Sequence, residues 1–291
     1  MAFLTFVTTC RGRLAHLRKT LPLLVAQPDA AVVVVDYGCP ENAGDWVEEN
    51  FPPVAVVRSP ESARFELSRA RNLGAAGVRS PWICFVDADT LVDASFSERM
   101  KPLLKPGYFY QADPRTVTTW GTAVCASADF ESVGGYDEVI QGWGKEDEDF
   151  YARLFLKGVR YAGFPGELLG EIKHSDSERV AHADVKDHWL SESINHVYCR
   201  AKIDLMQVTH GPLALEYRKK LYAEVHSLVM AARDSGKPMT IVLPFRTQET
   251  RLCGPLEAKL VYTLPRPRGE GHPNHNAGSV VPGRRRVRKE Q

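Results

Sequence analysis

Ile83-Cys84-Phe85-Val86-Asp87-Ala88-Asp89-Thr90 is the stretch whose reading decides the fold. Four apolar residues in a row, without alternation, suit a strand buried on both faces. That strand delivers two carboxylates, one residue apart, at its carboxyl end. Ligands of open α/β sheets bind at such ends, where polar side chains leave a dry sheet for a crevice. An extended chain points Asp87 and Asp89 to the same side, where together they suit a hard divalent cation with positions left for phosphate oxygens.

Working outward, residues 31–36 form a second unalternating run that also closes on an aspartate, Asp36. Strands are expected at 3–8, 31–36, 54–58 and 82–87. Between the first two, Leu14, Leu17, Leu21, Leu24 and Val25 recur at helical spacing and predict a helix over 13–27. A further helix, 67–78, is bounded by Gly77 and Ser80-Pro81. Strands alternating with amphipathic helices make this an α/β chain with a mixed, mostly parallel sheet flanked by helices. Beyond Gly163 the texture changes. Leu190, Ile194, Val197, Ala201, Leu205 and Val208 form one helical stripe, and Tyr217, Leu221, Val225, Leu228 and Ala232 another. Residues 241–245 and 260–264 read as a closing strand pair, with Pro244 weakening the first. The expected division is a catalytic domain over 1–181, a helical extension over 182–264 and a disordered basic tail over 265–291.

Of the 291 residues, 44% are hydrophobic and 25% charged, ordinary globular usage that excludes a fibrous or wholly disordered chain. Net charge is +1, but residues 265–291 carry seven Lys/Arg against two Asp/Glu, leaving −4 for the body. A nucleic-acid binder is therefore not expected. Arg11, Arg13, Arg18 and Lys19 interrupt the N-terminal apolar stretch before a signal peptide or span could form. The six cysteines contain no C-x-x-C pair and read as buried thiols of a reducing compartment.

Three readings compete for the D-x-D. It can hold the metal and donor of a nucleotide-sugar transferase, or supply the nucleophile Asp87 of a haloacid-dehalogenase-type phosphatase, or be a solvated acidic turn. The phosphatase motif usually lies on the first strand, whereas here two or three strand-helix units precede it. In a transferase those earlier strand ends form the nucleoside pocket: Asp36 accepts from a uracil N–H, and Thr8 and Arg11 meet the base or the phosphates. A non-catalytic module that only binds a sugar nucleotide is a further alternative. Downstream, Gly142 and Gly144 let the backbone bend around Trp143, whose indole can stack on a sugar ring. Glu146-Asp147-Glu148-Asp149 then opens a helix carrying Phe150 and Leu154. A helix start favours negative charge, yet four successive carboxylates exceed what capping needs. Crowding of like charges should raise the pKa of at least one of them.

Thr8-Thr9-Cys10-Arg11-Gly12-Arg13-Leu14-Ala15-His16-Leu17, Arg69-Ala70-Arg71-Asn72-Leu73-Gly74, Phe85-Val86-Asp87-Ala88-Asp89 and Gly142-Trp143-Gly144-Lys145-Glu146-Asp147-Glu148-Asp149 occur in this order. Together, over about residues 3–175, they resemble a GT-A-fold glycosyltransferase, similar to family 2 enzymes and to the β-1,4-galactosyltransferase and chondroitin-polymerase groups. The resemblance implies an inverting hexosyltransferase of polysaccharide biosynthesis that uses a UDP-sugar and a carbohydrate, lipid-linked or other hydroxyl acceptor. It implies Asp147 as general base and Glu146 as holder of the acceptor hydroxyl. Asp87 would bind the ribose or donor sugar, Arg71 and Asn72 would face the donor, and Trp120 to Ala126 would lie beneath it. Asp89 and His174 would ligate Mn²⁺, with Mg²⁺ the alternative, and residues 175–183 would close over the donor. Lys145 departs from the small residue common in those galactosyltransferases, and 183–264 has no counterpart. The expected setting is bacterial cytoplasm, with peripheral contact at an anionic inner membrane face open to the helices and tail.

Overall fold

The computed structural model describes residues 2–59, 64–116, 119–172, 188–234, 239–246 and 257–264. Its centre is a seven-stranded sheet in the order β3-β2-β1-β4-β7-β6-β8. The strands are β1 (Leu4–Cys10), β2 (Ala30–Asp36), β3 (Ala55–Arg58), β4 (Trp82–Phe85), β6 (Tyr108–Asp113), β7 (Ala123–Ala126) and β8 (Arg160–Pro165). β1 runs parallel to β2 and β4, β2 to β3, and β6 to β8. Only β7 lies antiparallel, between β4 and β6. A small second sheet pairs β5 (Thr90–Val92) with β9 (Leu169–Glu171).

Alternation along the strands builds a core on each face. Leu4, Phe6 and Cys10 of β1 meet Leu14, Leu17, Leu21 and Leu24 of α1 (Leu14–Val25) and Val47 of α2 (Ala43–Asn50). On the opposite face, Val7, Val35 and Phe85 pack on Ala70 and Ala75 of α3 (Leu67–Ala75). Phe130 of α5 (Ser127–Ser132) and Phe150, Tyr151 and Leu154 of α6 (Glu146–Leu156) complete that face. A short α4 (Phe96–Met100) closes the first core. The expected strands and helices are all present, with ends moved by a few residues. α2, β6 and β8 were not anticipated.

The expected helical extension is two helices, α7 (His188–Thr209) and α8 (Leu215–Asp234), covered by the antiparallel pair β10 (Met239–Arg246) and β11 (Glu257–Leu264). Ile194, Val197, Ala201 and Leu205 of α7 share a core with Val225 and Val229 of α8, with Ile241 and Leu243, and also with Val139 and Ile140 just upstream of α6. That shared core joins the extension to the chain segment that carries the Gly-Trp-Gly turn. The 181/182 boundary and the 265–291 tail lie outside the described residues.

Candidate active site

β4 stops at Phe85. The Val86 N–H still bonds the Val7 carbonyl at 3.1 Å, and the chain then turns, with the Thr90 N–H closing on the Asp87 carbonyl at 3.0 Å. Strand alternation ends there, so the two carboxylates do not share one partner as the extended reading expected. Asp87 Oδ1 accepts from Arg71 Nη2 at 3.0 Å, while Asp89 Oδ2 accepts from Arg13 Nη1 at 2.8 Å.

Arg71, on α3, is 2% exposed. Its Nη1 donates to Asp147 Oδ1 at 2.5 Å and lies 3.5 Å from Glu146 Oε1, and its guanidinium packs over the Tyr136 ring at 5.0 Å. Three carboxylates, one from the end of β4 and two from the first turn of α6, thus converge on one buried cation. Gly121, just before β7, forms the adjoining wall. A Cβ there would fall 2.9 Å from Arg71 Nη2, 3.0 Å from Asp87 Oδ2 and 3.2 Å from Asp147 Oδ2. The Asp147 carboxyl titrates well above the ordinary carboxylate range, chiefly because it is buried. Glu146 and Asp87 push it further up and Arg71 opposes them. Crowding was the expected cause; burial exceeds it.

The four acids that open α6 divide by helical geometry, since successive residues turn by about 100°. Glu146 and Asp147 face Arg71. Glu148 is exposed and pairs with Lys145 Nζ at 2.8 Å. Asp149 is buried and pairs with Arg153 Nε at 2.8 Å and Lys202 Nζ at 2.5 Å. Lys202, on α7, also meets Asp137 Oδ2, and Arg218 of α8 meets Asp137 Oδ1, each at 2.5 Å.

The Gly-Trp-Gly turn is held from α7. Gly142, Gly144 and Lys145 have φ of +72°, +92° and +75°. Left-handed backbone suits glycine and strains a lysine. The Trp143 N–H donates to Ser191 Oγ at 2.8 Å, and a Cβ on Gly142 would come within 2.5 Å of that oxygen. Asn195 Nδ2 donates to the carbonyls of Gln141, Trp143 and Gly144 at 2.9–3.2 Å. Lys145 Nζ adds a 3.2 Å contact to Glu192. Sequence reasoning missed Ser191, Asn195 and Arg13.

Several expected donor residues are employed otherwise. Asn72 is an internal clip: its amide donates to the Tyr136 carbonyl and Glu138 and accepts from the Tyr136 N–H, at 2.8–2.9 Å. This use of the whole amide leaves it turned toward residues 136–138 rather than a donor. Arg71 faces three carboxylates. Asp36 spends its two oxygens on the N–H groups of Cys39 and Gly44, each at 2.7 Å, which organises its own turn. Arg11 Nη1 donates to the Tyr37 carbonyl at 3.1 Å. Thr8 is buried on β1, and its Oγ1 has no hydrogen-bond partner among the described residues. Trp143 is half-buried. His174 and the 175–183 loop lie outside the described residues.

For a metal, the donor chemistry fits: Asp89 offers carboxylate oxygens just past a strand end, hard donors that suit a hard cation, with Oδ2 engaged by Arg13. Among the described residues, no group of three or more His, Cys, Asp or Glu is arranged to hold one. No helix among them is long and apolar enough to cross a membrane.

The family model for glycosyl transferase family 2 matches residues 5–127, and that for the N-terminal domain of galactosyltransferase matches 106–178. The uncharacterized glycosyltransferase EpsJ of Bacillus subtilis (strain 168) is 32% identical over 95 residues, which are 33% of this chain and 25% of that protein. The chain thus matches a quarter of that relative's length. S. aureus TarS 1-349 in complex with UDP-GlcNAc superposes with a TM-score of 0.57 at 14% identity, covering 79% of this chain and 72% of that one. Mannosyltransferase PcManGT from Pyrobaculum calidifontis in complex with GDP-Man and Mn²⁺ gives 0.52 at 15% identity, covering 80% and 74%. At such identities the likeness speaks for the fold. The D-x-D follows the fourth strand of this sheet and lies inside the stretch that the glycosyl transferase family 2 model matches, which sets the phosphatase reading aside. By these partial sequence matches and by its fold, the chain is similar to the GT-A, family 2-like glycosyltransferases.

Proposed function

We propose that the chain transfers a hexose or N-acetylhexosamine from a UDP-sugar to an acceptor hydroxyl with inversion at the anomeric carbon, and that Asp147 is the general base. The observation that carries this reading is the convergence of Asp87, Glu146 and Asp147 on buried Arg71 beside Gly121. A base needs a pKa drawn toward the working pH, and burial supplies that for Asp147. Asp147 Oδ1 is fixed on Arg71, so Oδ2, on the Gly121 side, is the oxygen that takes the acceptor proton. Arg71 orients that carboxylate and ties it to Asp87, which binds the ribose or donor sugar. Glu146 holds the acceptor hydroxyl and Trp143 stacks on a sugar ring. Thr8, Arg11 and Asp36, at or near the ends of β1 and β2, line the nucleoside end.

Asp89 and His174 would hold Mn²⁺ or Mg²⁺, which supplies positive charge for the departing diphosphate. Arg13 holds Asp89 and would have to share it with the ion. The neighbours' UDP-GlcNAc and GDP-Man support a nucleotide-sugar donor. A lipid-linked or soluble carbohydrate acceptor and a cytoplasmic setting, at most peripheral to the membrane, complete the proposal.

The test is nucleoside-diphosphate release from a panel of nucleotide sugars, with Mn²⁺ or EDTA, on wild type and Asp89→Ala. UDP formed from one donor, abolished by EDTA and by the substitution, supports the reading. Donor binding with no turnover under any condition identifies a binding module instead.

A further inference from the structure

A pair of thiols on the first core face stands apart from the carboxylate cluster. β1 ends on Cys10, and the turn between β2 and α2 carries Cys39. Their sulfurs are 4.0 Å apart, and the side chains are 0% and 6% exposed. The Gly12 N–H donates to Cys39 Sγ at 3.2 Å, and the backbone amides of Glu41 and Ala43, at the start of α2, also favour negative charge on that sulfur. A hydrogen bond between the two sulfurs is the remaining contact, and with Cys10 as its donor it favours the charge on Cys39. Cys39 falls to about 6 for that reason, and Cys10 is pushed far up, with the Asp36 carboxylate adding to its rise. The other described thiols, Cys84, Cys125 and Cys199, are pushed up by burial. Cys39 is therefore the sulfur of the pair that favours the thiolate form, beside a second thiol and under a loop whose neighbouring residues Gly38, Pro40 and Glu41 are exposed.

We propose that Cys39 and Cys10 form a thiol-modification site that reacts with hydroperoxides, Cys39 as the attacking thiolate and Cys10 as the resolving thiol. The Cys39 sulfur attacks the peroxide, the O–O bond breaks, an S–O bond forms, and the leaving oxygen takes a proton. With hydrogen peroxide that product is water. Cys10 Sγ then attacks the Cys39 sulfenic sulfur, the S–S bond forms and water departs. The two thiols give up two electrons in all, and these reduce the peroxide. Closing the bond brings the sulfurs from 4.0 Å to about 2.05 Å and staples the end of β1, where the next turn begins, to the turn after β2. Those turns carry Arg11 and the residues that Asp36 organises, so the staple bears on the nucleoside end. The thiol chemistry itself does not depend on the glycosyl-transfer reading.

The full chain, fully reduced, is treated with hydrogen peroxide, blocked by alkylation and digested without reductant for mass spectrometry. A Cys10–Cys39 linked peptide is expected, with loss of two titratable thiols and full reversal by dithiothreitol. In Cys10→Ser, Cys39 should be captured by dimedone as a sulfenic acid. In Cys39→Ser, Cys10 should stay reduced. Wild type alone also reports through the pH dependence of Cys39 alkylation, expected to have its midpoint at about 6. That arm stands even where a variant fails to fold. Two unmodified thiols after peroxide, oxidation of Cys10 in Cys39→Ser at the wild-type rate, or an alkylation midpoint in the ordinary thiol range would each overturn the proposal.

Discussion

Helix α6 carries two ionic clusters within one turn of each other, and they are built on opposite principles. At Arg71 a single buried guanidinium faces Asp87, Glu146 and Asp147; at Lys202 two buried carboxylates, Asp137 and Asp149, are met by Lys202, Arg153 and Arg218. The first is short of positive charge and the second is not. Their titrations diverge accordingly. Asp147 is driven up by burial that Arg71 does not offset, whereas burial of Asp137 is outweighed by Lys202 and Arg218, which hold it at about 2. Identical side chains two residues apart, Asp147 and Asp149, thereby sit in different surroundings: one shares a single guanidinium with two other carboxylates, the other fastens α6 to α7. On the proposed reading, the charge surplus belongs to the catalytic carboxylate and the charge balance to the structural one.

The largest effect that separates the two is expected from Asp147→Asn. Donor turnover should fall by roughly 10²–10⁴-fold, the usual worth of a general base, without loss of melting temperature. A matched loss of stability would erase the contrast. Lys202→Met should do the converse, costing about 3–5 kcal/mol because it leaves buried carboxylates short of a partner. Urea denaturation measures it, and turnover per folded molecule should be retained.

Acid sharpens the same contrast. Asp137 has a folded pKa below its unfolded value, so its contribution is present above pH 4 and is lost as pH falls toward 2. That displacement is worth roughly 2–3 kcal/mol, and Asp137→Asn should flatten the acid limb of a stability-versus-pH curve. Asp147 has the opposite sign: its raised pKa makes the native state lose stability as pH rises above the unfolded value, and Asp147→Asn should remove that slope. The smallest effect is expected from Lys145→Gly. Relief of left-handed backbone, about 1–2 kcal/mol, offsets the loss of two partly exposed ion pairs worth roughly 0–1 kcal/mol each. Its melting temperature should stay within a few degrees of wild type.

Much of this was legible in the sequence. Unbroken apolar runs announced β2 and β4, and apolar stripes at helical spacing announced α1, α7 and α8. The acids after Gly144 pointed to the centre. What was not legible depends on contacts between distant residues. β6 and β8, with sequences YFYQAD and RYAGFP, lack the β-branched runs that mark strands. Arg71 read equally well as a solvated or a phosphate-binding residue, because its partners lie 16 and 76 positions away. Arg13 finds Asp89 across a similar distance. Ser191 and Asn195 lie between the apolar positions of α7, where a polar residue ordinarily means solvent, and only the packed turn gives them carbonyls to hold. The D-x-D misled in one respect: its alternation was carried past the point where β4 stops.

The most direct test is the pH dependence of donor turnover, with water as acceptor, in wild type and in Asp147→Asn. Wild type should show a rate rising with pH through one ionisation above the ordinary carboxylate range, and the variant should show a low, flat rate. An unchanged profile in Asp147→Asn would mean that the carboxyl held by Arg71 is not the base.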